Sequence, residues 1–369
     1  YTNTTGLENT ANGNQALYLN TTGGYNTASG TYALYSNTTG ANNTAIGKSA
    51  LGLNTTGYDN TACGYLALYA NTTGVWHTAI GNYALTANTT GSTNTAVGRY
   101  TLSTNTTGTC NVASGSQALK LNTTGSYNVS SGVQAHENNT TGSYNTASGH
   151  TALHKNTTGT HNTAIGYYSL WTNTTGTYNT ASGATTLIHN TTGSHNIAIG
   201  YKALYTNTTG DYNTAVGQSA LQVNTTGVRN TAIGRAAGSN ITTGDYNTCL
   251  GFNALPSSAS VDDEVVLGDA NVGTLRCNTS TISSLSDARD KVEVEPSPLG
   301  VDFLNTLNPV KFKWQSREGN SKDGTYEIGF IAQELQAVQK ESDTEYLKMV
   351  IDENPDRLEA SYAQLVPIL

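Results

Sequence analysis

A 17-residue unit recurs through most of this chain and constrains its fold more than any other feature. The clearest copy begins at Asn37 with the letters Asn-Thr-Thr-Gly and ends at Leu53. Further copies begin every 17 residues, from Asn3 to Ile241, which gives fifteen copies without insertion or deletion. A fixed period over so many copies is typical of a solenoid, in which each copy forms one coil that stacks on the next.

Comparison of the copies separates constrained from free positions, which are numbered here from the Asn that starts each copy. Positions 2, 3, 4 and 11 are Thr, Thr, Gly and Gly in every copy. Position 9 is Ala except at Ser130 and Cys249, and position 15 is Leu except at His136 and Gly238. Columns that stack on identical neighbours are constrained, so we expect positions 9 and 15 to point inward and positions 5, 12 and 16 outward.

The two Gly columns predict corners of the coil, where the backbone needs a positive φ or leaves no room for a Cβ. Asn and Thr beside them favour turns, because their side chains bond nearby backbone groups. Gly and β-branched Thr at this density disfavour helices. The predicted fold is therefore mainly β, with a β-solenoid rod over residues 1–255 whose apolar interior consists of Ala, Leu and Ile.

Such a rod has a thin interior, since each copy offers about one Leu, two Ala and, in some copies, an Ile. This is little apolar burial to set against the cost of ordering the chain. The run Asn-Thr-Ala-Ile-Gly at 43–47 and 162–166 resembles the repeats of trimeric autotransporter adhesin heads, which are β-rolls packed as three chains. The resemblance implies a homotrimer in which sister chains supply the missing stability.

Charge divides the chain near residue 255. Residues 1–255 carry five acidic and seven basic side chains, whereas residues 256–369 carry twenty acidic and ten basic ones. A basic footprint for nucleic acid is absent, and no stretch approaches the roughly 20 apolar residues of a membrane span. Cys63, Cys110 and Cys249 replace different repeat positions, and the seven His form no stack. We therefore expect no disulfide framework, metal site or cofactor.

The chain changes character after the repeats. Residues 256–285 predict a β neck, with short strands at 265–267 and 274–277. Residues 286–369 predict a small α+β module, with strands at 309–314 and 326–331 and a helix at 332–340. A further helix is predicted from Ser361 onward.

Four motifs run through this last module. They are Ser-Asp-Ala-Arg-Asp-Lys at 286–291, Leu-Asn-Pro-Val at 307–310, Gly-Phe-Ile-Ala-Gln-Glu at 329–334 and Tyr-Ala-Gln-Leu-Val-Pro at 362–367. In this order they resemble the endosialidase-type intramolecular chaperone, a self-processing domain that ends many phage tail spikes and fibres and related bacterial surface fibres. The closing coiled-coil helix of that family has no counterpart in this sequence.

The resemblance implies that the module trimerises, helps three rods fold together and then cuts itself off between Leu285 and Ser286. Ser286 would be the nucleophile and Lys291 its base, with Asp287 and Arg289 in supporting roles. A Ser hydroxyl needs a base to take its proton, and a Lys serves only when burial or nearby cations lower its pKa. Spacing alone favours the plainer interpretation, in which Ser286 caps a turn and Lys291 is a solvated side chain. No activity on an external substrate is implied.

Other surface features leave alternatives open. Asn-Thr-Thr fits the N-glycosylation pattern, as at Asn37, Asn54, Asn71 and Asn88, but an Asn ladder or turn explains it too. Tyr at position 6 predicts a strip that binds a glycan or partner, or a plain exposed ladder. The paired Thr columns suggest ice binding, although adjacent Thr residues point to opposite faces of a strand. The leading hypothesis is an extracellular, cell-surface or virion fibre or adhesin, and a glycan- or ice-binding module is the alternative.

Overall fold

The structure, a computed structural model, describes residues 3–272, 299–313, 326–351 and 358–360. The chain divides into two compact units, Tyr1–Leu267 and Gly268–Leu369, and each is described by itself below. The motif at 286–291, the strand predicted at 274–277 and the helix predicted from Ser361 lie outside the described residues.

The first unit is a solenoid with one coil per 17 residues, as the repeat predicts. Each coil contributes one three-residue strand, and sixteen strands form a single parallel sheet in chain order. Equivalent residues pair across neighbouring coils, so that Thr44 lies opposite Thr61 and Ala45 opposite Ala62. The strands β1 to β16 are Thr10–Asn12, Thr27–Ser29, Thr44–Ile46, Thr61–Cys63, Thr78–Ile80, Thr95–Val97, Val112–Ser114, Val129–Ser131, Thr146–Ser148, Thr163–Ile165, Thr180–Ser182, Ile197–Ile199, Thr214–Val216, Thr231–Ile233, Thr248–Leu250 and Val265–Leu267.

The solenoid extends one coil beyond the last recognisable repeat. The sequence assigns β16 to a neck, yet β16 pairs in parallel with β15, and Val265 lies opposite Thr248. Side-chain bonding continues as well, because Asn247 Oδ1 accepts the backbone N–H of Glu264 at 3.0 Å. The register of the coils therefore persists after the Asn-Thr-Thr-Gly letters have ended.

Positions 9, 14 and 15 fill the interior. Ala45, Ala50 and Leu51 are fully buried, as are the matching residues of the coils away from the two ends, which confirms the inward prediction for positions 9 and 15. The expectation that Ile belongs to the interior is wrong, because Ile46 at position 10 is 46% exposed. Side chains alternate along a strand, so an inward residue at position 9 sends positions 8 and 10 outward.

The columns predicted to face outward do so to different degrees. Position 12 is exposed in most coils, whereas positions 5 and 16 are mostly half-buried. At position 16, Gly52 is buried, because the ring of Tyr69 in the next coil lies against it. A Cβ built on Gly52 would stand only 2.9 Å from that ring. A large neighbour thus covers a small residue in this column.

The two Gly columns form the corners in different ways. Gly47 at position 11 has a φ of +127°, and a Cβ there would stand 2.6 Å from the carbonyl oxygen of Gly64. Gly40 at position 4 has no positive φ, but its Cβ would stand 2.3 Å from the oxygen of Gly57 and 2.4 Å from Asn37 Oδ1. Close stacking therefore excludes a side chain from both columns.

Buried Asn columns at positions 1 and 7 reinforce the thin apolar interior. Asn54 Nδ2 donates to Asn37 Oδ1 at 2.8 Å and to the oxygen of Gly57 at 2.9 Å. In the second column, Asn60 Nδ2 donates to the oxygen of Gly74 at 3.0 Å, and the Asn60 backbone N–H donates to Asn43 Oδ1 at 3.1 Å. Such bonds contribute about 1 kcal/mol each and reinforce one another in a continuous array.

Thr123 and Thr124 allow the two Thr columns to be compared. Thr123 Oγ1 donates to the oxygen of Thr140 at 2.9 Å, whereas Thr124 is exposed. We expect Thr123→Val to lower the free energy of unfolding by about 1 kcal/mol, because it removes that bond. Thr124→Val should change it by less than about 0.5 kcal/mol. Urea unfolding followed by circular dichroism makes the comparison, and equal losses in the two variants would contradict it.

The second unit is a small α+β arrangement, as predicted. It comprises α1 (Val301–Leu304), β17 (Val310–Lys313), β18 (Tyr326–Gly329), α2 (Ala332–Glu341), a 3-10 turn (Glu345–Leu347), β19 (Val350–Ile351) and β20 (Glu359–Ala360). The pairs β17–β18 and β19–β20 are antiparallel. Its core consists of Phe303, Leu307, Leu335 and Met349, with Val338 packed against it. The predicted apolar face of α2, with Leu335 and Val338, is therefore confirmed.

Candidate functional site

Two of the four motifs meet in the second unit. Leu307 is part of its core, and Asn308 Nδ2 donates to Glu334 Oε2 of α2 at 3.1 Å. The pairing of β17 with β18 places Val310 opposite Gly329, so the segments 307–310 and 329–334 lie side by side. These two motifs, which follow each other in the sequence, are thus also neighbours in space.

The residues predicted to perform the cut cannot be placed in this arrangement. Leu285, Ser286, Asp287, Arg289 and Lys291 all lie outside the described residues. Their roles as cleavage site, nucleophile, supporting residues and base stay predictions.

The rod carries a second candidate site, the sheet face, which we define as the outward side chains at positions 8 and 10 of β1 to β16. Position 8 is Thr in twelve of the sixteen strands and Val or Ile in the other four. No charged residue occurs at either position in these strands. Twelve large apolar residues of the face are between 37% and 66% exposed, whereas Val216 is half-buried; the twelve are Ile46, Ile80, Val97, Val112, Val129, Ile165, Ile197, Ile199, Ile233, Leu250, Val265 and Leu267.

The Asn residues of the glycosylation pattern face the opposite way. Asn37, Asn54, Asn71 and Asn88 have no exposed surface, and each side-chain amide donates two hydrogen bonds within the rod. A glycan on Nδ2 would replace those bonds and would have no room inside the coil. The folded rod therefore supports the Asn-ladder interpretation and disfavours glycosylation at these residues.

The paired Thr columns offer only one row to water, as the alternation argument expects. Thr38 Oγ1 donates to the oxygen of Thr55 at 3.0 Å, so the hydroxyls of position 2 serve the rod itself. Thr39 and its counterparts at position 3 are exposed in all fifteen copies. A single row lacks the two-dimensional grid of hydroxyls that ice binding needs, which disfavours ice as the ligand of the paired columns.

The aromatic residues at position 6 form a ladder along the second half of the rod. Tyr127, Tyr144, His161, Tyr178, His195 and Tyr212 stack in that order, with ring centroids 4.7 to 5.0 Å apart. The Arg229 guanidinium continues the ladder, 5.6 Å from the Tyr212 ring and 5.2 Å from the Tyr246 ring. The ring faces are occupied by neighbouring rungs, so this column presents ring edges rather than free faces to a ligand.

One coil has polar residues at both of the inward positions 9 and 15. Ser130 and His136 replace the inward Ala and Leu of the copy that starts at Asn122, and both are buried. His136 Nε2 lies 3.1 Å from Asn156 Nδ2, while His136 Nδ1 and Ser130 Oγ have no hydrogen-bond partner. Burial lowers the pKa of His136 to about 3. Burial therefore favours the neutral imidazole in this coil.

His77 shows how a His can replace a ladder Asn. Its Nδ1 accepts the backbone N–H of Asn94 at 3.2 Å, and its Nε2 lies 2.6 Å from the oxygen of Gly91. These contacts reproduce those of the Asn at position 7. Burial lowers the pKa of His77 to about 4, so this residue too is neutral in the folded rod near neutral pH.

Comparison with known proteins bears on the carboxy-terminal segment. A family model described as chaperone of endosialidase matches residues 286–344. This confirms the resemblance that the motifs suggested, and the match begins at Ser286. Neither a search of curated proteins nor a search of solved structures found a match. A repeat solenoid followed by such a segment is the arrangement of a tail-fibre-like protein.

The sheet face was not predicted from the sequence, although its pattern is present there. The letters around the inward Ala at position 9 alternate, with Thr before and Ile, Val or Ser after. Because the Ile at position 10 was assigned to the core, this alternation with a period of two residues was not recognised.

In the described parts of the chain, no helix is both long and apolar enough to cross a bilayer.

Proposed function

We propose that the protein is an extracellular fibre of the tail-fibre type, on a virion or a cell surface, whose rods associate as a homotrimer. Its carboxy-terminal segment acts as an intramolecular chaperone that assists assembly and then cuts the chain between Leu285 and Ser286. The sheet face is the observation that carries the assembly. The chaperone match at 286–344 supports the number of chains and the cut.

The sheet face is long, uncharged and studded with exposed apolar side chains. Sixteen strands at about 4.8 Å each make a face about 70 Å long. Its outward side chains are Thr, Ser, Asn and Cys as well as Ile, Val and Leu, and none of them is charged along that length. Rows of exposed large apolar side chains on a surface without charge mark interaction sites. We infer that this face is covered.

A sister copy is the occupant that fits best. Every coil pairs in register with the next, so the side chains on the face recur at one constant spacing. Two copies therefore present the same spacing to each other and can interdigitate at every coil. An unrelated globular partner would match the face over a short stretch only.

The number of chains rests on the family rather than on the face. A twofold pair would cover one sheet face with another as well as a threefold bundle would. The chaperone family and the adhesin-head repeats both point to three chains. Measuring the mass of the assembled particle therefore separates a trimer from a dimer.

Two valines of one coil give a matched test of the face. Val129 lies on the sheet face and is 43% exposed, whereas Val133 lies beyond the Gly132 corner, at position 12, and is 46% exposed. We expect the double variant Val112→Lys, Val129→Lys to reduce the trimer to single chains, because it buries two adjacent unpaired charges per chain. Val133→Lys should leave the trimer intact.

Mass photometry and sedimentation velocity measure the result at matched concentrations. Three chains in the wild type and in Val133→Lys, with single chains in the double Lys variant, support the proposal. A wild-type rod that stays a folded monomer would overturn the trimer. If the double Lys variant is still a trimer, the interface lies on another face of the rod.

A further inference from the structure

Two tyrosine rings of the position 6 ladder lie face to face in consecutive coils. Tyr127 and Tyr144 have ring centroids 5.0 Å apart and ring planes inclined by only 3°. The two residues are 51% and 53% exposed. Of the three stacked Tyr–Tyr pairs in the described part of the chain, this is the one in which both rings are exposed. The pair is therefore open to reagents from solution.

The same ladder contains a tyrosine without a tyrosine next to it in the column. Tyr178 is 51% exposed and stacks on His161 at 4.7 Å and on His195 at 4.9 Å. The nearest tyrosines of the ladder, Tyr144 and Tyr212, stand two coils away, or about 9.6 Å at the strand spacing. Tyr144 and Tyr178 thus share exposure and stacking, and they differ in whether a second phenol lies in contact.

The Tyr127–Tyr144 pair lies at an interruption of the apolar core. Tyr127 belongs to the coil whose inward positions hold Ser130 and His136, both buried and each with a polar atom that lacks a hydrogen-bond partner. The buried apolar residues divide into two clusters here, because the first ends at Leu119 and the second begins at Ala135. A covalent bond between the two rings would tie this coil to the coil that follows it.

We propose that Tyr127 and Tyr144 are a site of oxidative modification, where a dityrosine bond links the coil of Ser130 and His136 to the next coil. The oxidant is hydrogen peroxide used by a haem peroxidase, which removes one electron and one proton from each phenol. The two radicals join through a carbon ortho to each hydroxyl, and the hydrogen on each of these carbons moves to the phenol oxygen. Two tyrosines and one peroxide thus give one dityrosine and two waters.

The stack brings the reacting carbons close together. The two residues occupy the same position of neighbouring copies, so matching ring carbons lie about one stacking distance apart. The backbone N–H of Tyr144 donates to the oxygen of Ser126 at 3.1 Å, which holds the two coils in register at this position. Exposed side chains change rotamer within nanoseconds, so the rings can tilt until their edges meet. Coupling within the pair is therefore favoured over coupling with a more distant tyrosine.

Peroxidase and hydrogen peroxide, added to the full chain, test the site. Trypsin cuts after Lys120 and Lys155 and releases both tyrosines in one peptide, which a protease specific for Glu then cuts after Glu137. Cross-linked halves should stay joined, with a mass two hydrogens below the sum of the separate halves. We expect this product in wild type and in Tyr178→Phe. It should be absent from Tyr144→Phe, because a phenylalanine ring has no phenolic hydrogen to lose.

The cross-link should also protect the coil that it holds, because it closes a loop that the opened coil would otherwise leave free. Limited proteolysis at pH 4, where opening allows His136 to take up a proton, measures this effect. We expect the oxidised wild-type rod to be cut between residues 122 and 138 at least about tenfold more slowly than the untreated rod. Oxidised Tyr144→Phe should be cut there as fast as before oxidation.

A cross-link between Tyr127 and Tyr144 that is absent from Tyr144→Phe and protects the coil supports the proposal. The proposal would be overturned by the absence of this cross-link, by an equal yield of cross-links at Tyr178, or by coupling between chains alone. A cross-linked rod that is digested as fast as the untreated one would also overturn it. The bond lies within one chain, so the result does not depend on whether the rods form the proposed trimer.

Discussion

A chain that carries Ser286→Ala is expected to stay whole, while the wild-type chain loses its carboxy-terminal segment. The reason is chemical. The Ser286 hydroxyl attacks the carbonyl carbon of Leu285, the peptide C–N bond breaks, and an ester forms that water then opens. The leaving nitrogen takes a proton, and without the hydroxyl no acyl transfer can begin. The uncut chain should be about 9 kDa heavier, the mass of 84 residues at roughly 110 Da each.

Matched variants separate the nucleophile from its surroundings. Ser284→Ala removes a hydroxyl two residues upstream and should leave the cut unchanged. Lys291→Ala should slow the cut severely, since Ser286 loses its base. Lys291→Arg keeps the charge but cannot act as the base, because an Arg side chain is not deprotonated in proteins. It should therefore be as slow as Lys291→Ala.

Intact-mass spectrometry of freshly purified protein measures the extent of cutting in each variant. Continued cleavage of Ser286→Ala would rule out the proposed nucleophile. Equal rates in wild type and Lys291→Arg would give Lys291 a role through its charge rather than as a base. Both Ser286→Ala and Lys291→Ala should still trimerise, because the small groups removed contribute little to packing.

The cut also has a predicted effect on kinetic stability. A rod released from its chaperone after assembly cannot readily refold once it is unfolded, so its persistence depends on the rate of unfolding. The processed trimer should therefore resist denaturant longer than the Ser286→Ala trimer. Unfolding time courses at one denaturant concentration compare the two trimers. Equal rates would argue against a separate role for release and would leave the roles proposed for Ser286 and Lys291 unaffected.

The repeat predicted the coil but not which apolar residues lie inside it. Period, corners and the inward Ala and Leu columns follow from comparing copies, because identical neighbours restrict each other in a stack. The Ile at position 10 escaped this logic, since an apolar residue of a repeated column can lie on an outward face as well as in the interior. Ile46 is buried neither by its own coil nor by its neighbours in the single rod. A sequence cannot distinguish a core of one chain from an interface between chains by composition alone.

The end of the rod was placed too early for a related reason. The letters Asn-Thr-Thr-Gly stop before residue 258, yet Thr242 Oγ1 donates to the oxygen of Ala259 just as Thr225 Oγ1 donates to Thr242. Backbone groups serve as acceptors whatever the side chain, so a coil can continue where the repeat is no longer recognisable. The motif at 286–291, by contrast, was found through its order among other motifs and needed no geometry.

The coil with buried Ser130 and His136 is where we expect acid to weaken the rod most. His136 has a folded pKa of about 3, lowered by burial, against about 6.5 when unfolded. The folded state therefore binds fewer protons than the unfolded state. Stability is fully present above pH 6.5 and is lost as the pH falls from there toward 3. At pH 4 the loss from His136 should be about 3 kcal/mol.

Leu is the natural replacement, because nearly every other copy has it at this position. We expect His136→Leu to be more stable than wild type by about 1 to 3 kcal/mol at pH 8, since it removes a buried imidazole nitrogen without a partner. Between pH 8 and pH 4 its advantage should grow by about 3 kcal/mol. His189→Leu, at an exposed position, is the control and should gain no such advantage.

Because coils contact only their neighbours, the loss should appear locally before the whole rod unfolds. Limited proteolysis at pH 4 with an acid-active protease should cut the wild-type rod first within the coil that contains Ser130 and His136. His77, whose folded pKa of about 4 is also lowered by burial, should mark a second and weaker cleavage site.

Denaturant unfolding at pH 8 and pH 4 measures the free energies of unfolding of wild type and His136→Leu. If the free energies of unfolding of wild type and His136→Leu differ by the same amount at pH 8 and at pH 4, His136 does not become protonated on unfolding. The prediction of an acid-sensitive coil would then be wrong.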